Sequence, residues 1–495
     1  MVADTGAGDG PVWLGVDLGT QGVRALAVDT AGRVRGEGAA PLTGVRDGAR
    51  HEQLPADWWA AARTAVRTAV RDLPVPVAAV AVCGTSGTVL LTDGDGEPVS
   101  AALMYDDGRA AAQARRAQET GAELWRALGQ RVQPSWALAK LLWLVEEGAS
   151  PAGRRPRVCH QADFVTARLV GGPVATDAGH ALKTGYDTRG RAWPVDVLER
   201  LGLAERLEFP EVVLPGTVLG AVGAEGAEAT GLAEGTPVVA GTTDGCAAQL
   251  ASGAWEVGRW NSVLGTTLVL KGVTAEPLYD PTGVLYNHLS PDGTWLPGGA
   301  SSVGAGALSA AFPGADLPAL DRAAADREPA GVLSYPLVSR GERFPFLAPD
   351  AEAFTLGTPA DDTDRYAALL QGVALAERLC LAYVRQLGAR VDAPVVLTGG
   401  ATRSAYWNQL RADVLGRPVM VPEQAGSALG VAVLAARGAG RTRDEVRGMV
   451  RRAAEFAPRG AAEGRFDGAF AALVDALEER GWLPAETARY ARNEG

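Results

Sequence analysis

Cysteine is scarce in this chain, and its spacing argues against two kinds of stabilised scaffold. The four cysteines, Cys83, Cys159, Cys246 and Cys380, lie far apart in 495 residues and form no CxxC pair. Disulfide frameworks and structural zinc sites need closely matched cysteines, so neither is expected. Cys83, Cys159 and Cys246 lie in apolar or strand-end stretches, where we expect reduced, buried thiols.

Histidine-based zinc motifs and three common glycine motifs are also absent. The four histidines, His51, His160, His180 and His288, form neither HxxxH nor HExxH. There is no GxxxxGK[ST] loop, no complete GxGxxG, and no GxSxG nucleophile elbow. A catalytic zinc ion, a P-loop nucleotide site, a dinucleotide fingerprint and an elbow-type hydrolase are therefore not expected.

Net charge and composition narrow further the classes of protein to which this chain can belong. The net charge is −11, with 47% hydrophobic and 21% charged residues, as in ordinary globular proteins. Nucleic acid binding depends on cationic contacts, so no nucleic acid partner is expected. Residues 1–10 lack the basic and apolar regions of a signal peptide, and no apolar run approaches membrane-spanning length. We expect a cytoplasmic protein without a membrane partner, with a disordered segment at 1–10.

The chain alternates predicted strands and helices, which indicates an α/β fold. Periodicity predicts a helix over Pro55–Leu73, a strand over Val77–Cys83 and a long helix within Asp364–Leu387. A further helix is predicted over Ser135–Glu147, with Ser135 as its N-cap. The length allows two or three domains.

The most informative stretch is VVAGTTDGCAAQLASG at 238–253. It predicts a buried strand over Val238–Gly241, a turn of small residues, and a helix. Ligands of open α/β sheets bind outside the carboxyl ends of strands, so Asp244 is placed as a general base would be. Asp is also a good N-cap, and this stretch alone leaves both interpretations open.

Two further glycine turns point to phosphate. In WLGVDLGTQGVRALAVDTAGRV (13–34), strands flank Asp17–Gly22, where backbone N–H groups and the Thr20 hydroxyl can cradle phosphate oxygens. Asp17 can hold Mg²⁺, which prefers a carboxylate, waters and substrate phosphates. The alternative is an ordinary hairpin with a surface aspartate. RWNSVLGTTLVLKGVT (259–274) repeats the strand–turn–strand pattern around Gly265-Thr266-Thr267.

A strand–glycine–helix unit also recurs, first around Asp244 and again in PVVLTGGATRSAYWNQLRADVLG at 394–416. This repetition indicates two similar domains with a nucleotide between them. The boundary is predicted near residues 250–260.

With these motifs in this order, the sequence resembles the FGGY family of carbohydrate kinases from about Val12 to about Gly440. The late stretch VPEQAGSALGVAVLAARG (421–438) matches as well. The resemblance implies two actin/hexokinase-like (ribonuclease H-like) ATPase domains with an interdomain cleft. We expect 11–253 to carry the sugar site and catalytic aspartate, and 254–495 to bind adenosine.

Within the family, four segments look most like D-ribulose kinases: CGTSGTVLLTD (83–93), MYDDGRA (104–110), CHQADFVTARLVGG (159–172) and TDAGHALKTGYD (176–187). Xylulokinases usually carry Met-His in the segment corresponding to GTSGT, whereas this chain has Thr85-Ser86-Gly87. The expected reaction is therefore phosphorylation of D-ribulose to D-ribulose 5-phosphate. A D-xylulose or other polyol kinase is the alternative, and a non-catalytic ATP-binding sensor is an alternative of another class.

The resemblance implies ATP and Mg²⁺ as cofactors, a small-molecule sugar and ATP as partners, and a monomer or homodimer. Asp244 is the implied general base and Asp17 the implied magnesium ligand. The implied contacts to the sugar are Ser86, Asp107 and Asp244. The implied contacts to ATP are Asp17, Gly19, Thr20, Gln21, Gly22, Gly265, Thr266, Thr267, Gly399, Gly400, Ala401 and Asn408.

Overall fold

The structure is a computed structural model that describes residues 10–149, 155–460 and 463–494. The predicted disordered segment 1–10 lies, apart from Gly10, outside the described residues. The chain divides into two compact units. The first comprises residues 1–251, 288–293 and 424–451, and the second comprises 252–287, 294–423 and 452–495.

The described strands, in chain order, are β1 (Val12–Leu18), β2 (Gly22–Asp29), β3 (Val34–Pro41), β4 (Val45–Asp47), β5 (Arg50–Gln53), β6 (Val77–Gly84), β7 (Val89–Thr92), β8 (Ala102–Leu103), β9 (Arg157–His160), β10 (Thr176–Asp177), β11 (Val212–Val213), β12 (Val218–Ala221), β13 (Pro237–Val239), β14 (Trp260–Leu264), β15 (Leu268–Gly272), β16 (Tyr286–Leu289), β17 (Trp295–Ser301), β18 (Leu333–Tyr335), β19 (Phe354–Leu356), β20 (Val395–Thr398), β21 (Val419–Pro422) and β22 (Arg452–Phe456).

The described α-helices are α1 (Pro55–Val70), α2 (Ala111–Thr120), α3 (Ala122–Leu128), α4 (Ala137–Glu146), α5 (Gln161–Val170), α6 (Ala178–Leu182), α7 (Val195–Arg200), α8 (Ala224–Thr230), α9 (Asp244–Ala251), α10 (Gly306–Ala311), α11 (Leu317–Ala324), α12 (Asp362–Gln386), α13 (Ala405–Leu415), α14 (Ser427–Gly438), α15 (Arg443–Arg447), α16 (Asp467–Glu479) and α17 (Ala485–Asn493). Short 3₁₀ turns span Ala325–Arg327 and Gly400–Arg403.

The first unit is built on a six-stranded sheet in the order β12-β13-β6-β1-β2-β3. Strands β1, β6 and β13 run parallel, whereas β1, β2 and β3 form an antiparallel meander. The buried apolar residues of β1 and β6 read as continuous runs, as expected of central strands covered on both faces. A five-stranded sheet, β4-β5-β8-β7-β9, and a two-stranded sheet, β10-β11, lie in the same unit.

Helix α14 belongs to the first unit, although it lies late in the sequence. A Cβ on Gly15 would lie 1.9 Å from the carbonyl oxygen of Ala428, and a Cβ on Gly430 would lie 1.8 Å from that of Ala247. Glycine at both positions thus lets the backbones of β1, α9 and α14 approach closely. The predicted division runs 11–253 and 254–495 along the chain, and the compact first unit takes in α14 as well because this apolar helix packs on the first sheet.

The second unit repeats the pattern with a seven-stranded sheet in the order β16-β17-β15-β14-β20-β21-β22. Strands β14, β20 and β21 are parallel, and β14 and β15 form the predicted hairpin. Helix α12 spans 25 residues and supplies much of this core. It is long and apolar enough to cross a membrane by length and composition alone, but 89% of its most apolar 18 residues are buried inside the protein.

Predicted helices agree with the structure except at one cap. Helix α4 begins at Ala137, so its N-cap is Trp136 in an extended conformation, and no side chain caps it. Ser135 was predicted as that cap. Trp136 is fully buried and packs edge-on against Trp125, with ring centroids 6.2 Å apart, so aromatic packing sets the start of the helix.

Candidate functional site

Three predicted site residues lie at or beyond the carboxyl ends of parallel strands in the first unit. Asp17 lies near the end of β1, Ser86 follows β6, and Asp244 follows β13. A parallel bridge joins Gly84 to Thr243 beyond the end of β13. Because parallel strands end at the same edge, the three side chains come to one edge of the first sheet.

Asp17 lies in an acidic, poorly solvated position. Burial, followed by the charge of Asp244, raises the pKa of Asp17 from 3.8 to about 6, against the opposing effects of Cys83 and Arg24. The structure thus brings the predicted magnesium ligand and the predicted base together. Asp244 is the first residue of α9, and its Oδ1 accepts a hydrogen bond from the Gly245 N–H at 2.7 Å.

The Gly19–Gly22 turn is a tight hairpin held from both sides. The N–H of Gly19 donates to the Gly22 carbonyl at 3.0 Å. The Gln53 side chain donates to the Thr20 carbonyl at 2.7 Å, and Leu42 N–H donates to the Gln21 carbonyl at 2.9 Å. Gln21 is exposed and Thr20 is half-buried. The backbone of the turn is therefore fixed by hydrogen bonds, and Gln21 at its tip is exposed to solvent.

Ser86 offers an unused hydrogen-bonding group. Its Oγ is buried and has no hydrogen-bond partner among the residues that the structure describes. The carbonyl of Ser86 accepts from Lys183 Nζ at 3.3 Å, and the Lys140 ammonium donates to the carbonyls of Gly87 (3.0 Å) and Met104 (2.5 Å). Burial, then the nearby Lys183, lowers the pKa of Lys140 to about 7. Lysines thus fix the backbone on which Ser86 is presented.

Asp107 lies fully buried rather than open to solvent. Its Oδ2 accepts from the His51 N–H at 2.8 Å and from Arg109 Nη2 at 2.9 Å. Its neighbour Asp106 is 29% exposed and pairs with Arg46 and with His51 Nδ1, each at 2.5 Å. Both carboxylates are thus engaged within the protein, and Asp106 is the more accessible.

The second unit presents the predicted Gly265-Thr266-Thr267 turn between β14 and β15. The N–H of Gly265 donates to the Thr267 carbonyl at 3.1 Å, and Thr266 is exposed. The N–H groups of Ala305 and Gly306 donate to the carbonyls of Gly265 and Thr266, which fixes the turn from outside. Like the Gly19–Gly22 turn it joins two antiparallel strands, but its loop is three residues long rather than four.

The second predicted turn of this unit follows β20. Gly399 has φ +89°, and a Cβ there would lie 2.5 Å from the Leu264 carbonyl oxygen, so only glycine fits. Gly399 and Gly400 are exposed, and Ala401 is half-buried. Asn408 is buried, and its amide donates to the Thr402 carbonyl at 2.8 Å. Asn408 therefore supports the exposed turn from behind.

A pair of buried residues, Asp177 and His180, lies beside this edge in the segment TDAGHALKTGYD, where a structural or sugar-contact role is expected for the histidine. Asp177 caps α6, accepting from the N–H groups of Gly179 and His180, and its carboxylate also binds His180 Nδ1. A Cβ on Gly179 would lie 2.9 Å from Thr242 Oγ1, so α6 packs against the turn that carries Asp244. The spacing of Asp and His by three residues at a helix start was the available signal.

Among the described residues, no group of three or more His, Cys, Asp or Glu side chains could hold a metal ion by itself. All four cysteines are buried and free, and burial was predicted for Cys83, Cys159 and Cys246. Burial, then Asp17 and Asp244, holds the pKa of Cys83 well above its usual range, so its thiol is neutral.

Comparison with known proteins agrees with this arrangement. Residues 12–251 match the N-terminal domain of the FGGY family of carbohydrate kinases, and residues 260–439 match its C-terminal domain. A xylulose kinase from Streptomyces rubiginosus is 36% identical over 441 residues, which is 87% of this chain and 88% of that protein. A xylulose kinase from Streptomyces coelicolor is 34% identical over 424 residues, which is 84% of this chain and 85% of that protein.

Solved structures give the same result. The crystal structure of xylulose kinase from Rhodospirillum rubrum superposes with a TM-score of 0.85 at 27% identity, covering 94% of this chain and 99% of that one. The predicted two-domain fold of actin/hexokinase-like kinases is confirmed. The chain therefore belongs to the FGGY family of carbohydrate kinases and is a sugar kinase, a phosphotransferase whose acceptor is an alcohol group.

Proposed function

We propose that this kinase transfers the γ-phosphoryl group of ATP to a hydroxyl of a pentulose, with Asp244 as general base. The observation that carries the proposal is the meeting of Asp244, Asp17 and Ser86 at one edge of the first sheet. A carboxylate that can act as base, a second carboxylate suited to a metal, and an unpaired hydroxyl that can bind a sugar together suit the phosphorylation of a polyol.

Asp244 accepts the proton of the attacking hydroxyl. Phosphoryl transfer is mainly a matter of positioning and electrostatic stabilisation, so a carboxylate of ordinary basicity is sufficient. A positioned base of this kind contributes about 10²–10⁴-fold in rate. The backbone of Asp244 is fixed on both sides. Asp244 begins α9, and the preceding residue, Thr243, pairs with Gly84 at the end of β6.

Asp17 is the proposed ligand of Mg²⁺, and its surroundings fit that ion. With a pKa of about 6, its carboxylate is ionised at neutral pH. Mg²⁺ is commonly held by one or two carboxylates together with waters and substrate phosphates, so a preformed cluster of three protein ligands is not needed. When bound, the ion neutralises charge on the phosphates and orients them.

The turns are the proposed contacts to ATP. Gly19, Thr20, Gln21 and Gly22 offer backbone N–H groups and the Thr20 hydroxyl to phosphate oxygens, and Gly265, Thr266 and Thr267 do the same in the second unit. Gly399, Gly400 and Ala401 form the proposed adenosine surface, where missing side chains let the flat base approach the backbone. We assign Asn408 the role of holding that surface through Thr402.

D-Ribulose is the first proposed sugar, with Ser86, Asp107 and Asp244 as its contacts. The Thr85-Ser86-Gly87 segment supports it, because Gly87 has no side chain and Lys183 Cδ lies 3.3 Å from where a Cβ would stand. The segment therefore cannot present a histidine at that position. D-Xylulose is the second candidate, since relatives named xylulose kinase share 34–36% identity with this chain. We place the reaction in the cytoplasm.

The test is ADP release with Mg²⁺-ATP across D-ribulose, D-xylulose, L-ribulose, ribitol and glycerol. We expect strong stimulation by a pentulose, with D-ribulose preferred. Preference for D-xylulose would correct the sugar and keep the mechanism. Slow ATP hydrolysis that no sugar stimulates would overturn the proposal in favour of a non-catalytic ATP sensor.

A further inference from the structure

His180 is a fully buried histidine on α6, the helix that packs against the turn before Asp244. Its Nδ1 is bonded to the Asp177 carboxylate, which fixes the ring. Its Nε2 is also buried but has no hydrogen-bond partner in the described part of the chain. A buried donor left without a partner costs about 1–3 kcal/mol, so an unpaired atom on an otherwise fixed ring calls for an acceptor.

Contacts place α6 between the two turns of the proposed sugar site. At its start, the Cβ direction of Gly179 points to Thr242 Oγ1 at 2.9 Å and to Thr243 Cγ2 at 3.5 Å. Just after its end, Lys183 donates to the Ser86 carbonyl and lies against Gly87. His180 lies between these two contacts, on the side of the unit that carries Ser86 and Asp244.

Other buried polar atoms around the same edge are also unpaired. Ser86 Oγ, Thr242 Oγ1 and Gln161 Nε2 have no hydrogen-bond partner in the described ranges. Gln161 accepts from Thr85 N–H at 3.0 Å, which ties it to the residue before Ser86. Buried polar side chains usually find partners, so three unpaired ones near the carboxyl ends of β6 and β13 suit a ligand with several hydroxyl groups.

The charges facing His180 favour its imidazolium form. Burial opposes that charge, but Asp177 first, then Asp163 and Asp244, raise the pKa of His180 to about 9. The ring of His160 lies 5.7 Å away, and both of its nitrogens are bonded, to Asp163, Thr176 and Thr184. In the imidazolium form the unpaired Nε2 carries a proton and can only donate.

We propose that His180 is a sugar-binding residue of this kinase, whose Nε2–H donates a hydrogen bond to one hydroxyl of the substrate and selects for a sugar that has that hydroxyl. The proposal rests on the proposed pentulose kinase function and deepens it. Asp177 is a positioning residue, because it acts by holding the ring.

The test compares His180→Leu and His180→Gln with wild type, using the preferred pentulose and analogues that each lack one hydroxyl. A hydrogen bond from a charged donor contributes about 1.5–3 kcal/mol, or roughly 10–100-fold in KM. We expect His180→Leu to raise the sugar KM by that factor with little change in the KM for ATP. His180→Gln, which keeps an N–H donor, should recover part of it.

The analogues identify the partner. For wild type, one analogue should have a kcat/KM about 10-fold or more below that of the full sugar. For His180→Leu, the same analogue should have the same kcat/KM as the full sugar, because the hydrogen bond is already lost. Thr184→Val is the matched control, because it removes a buried hydroxyl from the same network, bonded to His160, without touching the His180 ring nitrogens. It should lower stability and keep the wild-type order of analogues.

Calorimetry with the sugar alone separates failure of this inference from failure of the proposed function. If wild type neither binds nor phosphorylates any pentulose, the proposed function fails. Suppose instead that wild type both binds and phosphorylates a pentulose, and that the His180 variants change only kcat or thermal stability, as is expected of Thr184→Val for stability. His180 would then be structural, and the inference would be overturned.

Discussion

The thiol of Cys83 donates a hydrogen bond to Oδ1 of Asp17 across 3.4 Å. The two residues are register partners on the parallel strands β1 and β6, so the sheet itself sets the contact. A neutral buried thiol is a weak donor, and it only partly offsets the cost of burying the Asp17 carboxylate beside Asp244. Keeping Asp17, the proposed metal ligand, at this buried position therefore lowers the stability of the folded protein.

Asp17→Asn should stabilise the protein while reducing its activity. The pKa of Asp17 in the folded state, about 6, lies above the ordinary value of 3.8. The folded state therefore favours the protonated carboxyl, and the protein loses stability as the pH rises from about 4 through 6. Asparagine has no such loss, and we expect a gain on the order of 1–3 kcal/mol at pH 7.5.

Urea unfolding of wild type and Asp17→Asn at pH 5 and pH 7.5 measures this difference. The advantage of the variant should be larger at pH 7.5, and ADP release at fixed Mg²⁺ should fall. If the variant were more stable than wild type by the same free energy at both pH values, burial would not destabilise the charged Asp17 carboxylate.

Asp107→Asn should lower stability by roughly 1–3 kcal/mol, because it weakens buried charged hydrogen bonds to Arg109, which then keeps Glu52 as its carboxylate partner. Asp106→Asn is the matched control on the adjacent, partly exposed residue, and should cost about 1 kcal/mol or less. Thermal unfolding measures both effects. The predicted sugar contact of Asp107 is checked by the sugar KM at a temperature where the variant is folded, and an unchanged KM would contradict it.

Gly430→Ala should destabilise the first unit by about 1–3 kcal/mol or more, because the new methyl group would overlap the Ala247 carbonyl. Gly426→Ala, at the N-cap of the same helix, is the control, since no atom lies within 4 Å of its Cβ position. Denaturant unfolding of the two variants gives the comparison. Equal stability of both would contradict the packing of α14 on α9.

The sequence predicted well what depends on local pattern. The glycine turns after β1, after β6 and between β14 and β15 lie where alternation of strands and small residues placed them. The edge that gathers Asp17, Ser86 and Asp244 follows from parallel pairing, which the strand–turn–helix order around Asp244 already indicated.

What the sequence did not predict depends on contacts between distant residues. Nothing local marks α14 as part of the first unit, because its apolar pattern fits any core. The burial of Asp107 depends on the side chain of Arg109 and the backbone of His51, which is 56 residues away. The cap of α4 was misplaced because Ser135 is a good cap in isolation, whereas packing of Trp136 on Trp125 sets the start of the helix.

The most direct test of the account is Asp244→Asn, assayed by single-turnover ADP release with Mg²⁺-ATP and the preferred pentulose, beside ATP affinity measured by equilibrium binding. We predict a rate lower by about 10²–10⁴-fold or more, with ATP affinity within about twofold of wild type. A variant that keeps most of its sugar-dependent rate would contradict the assignment of Asp244 as the general base.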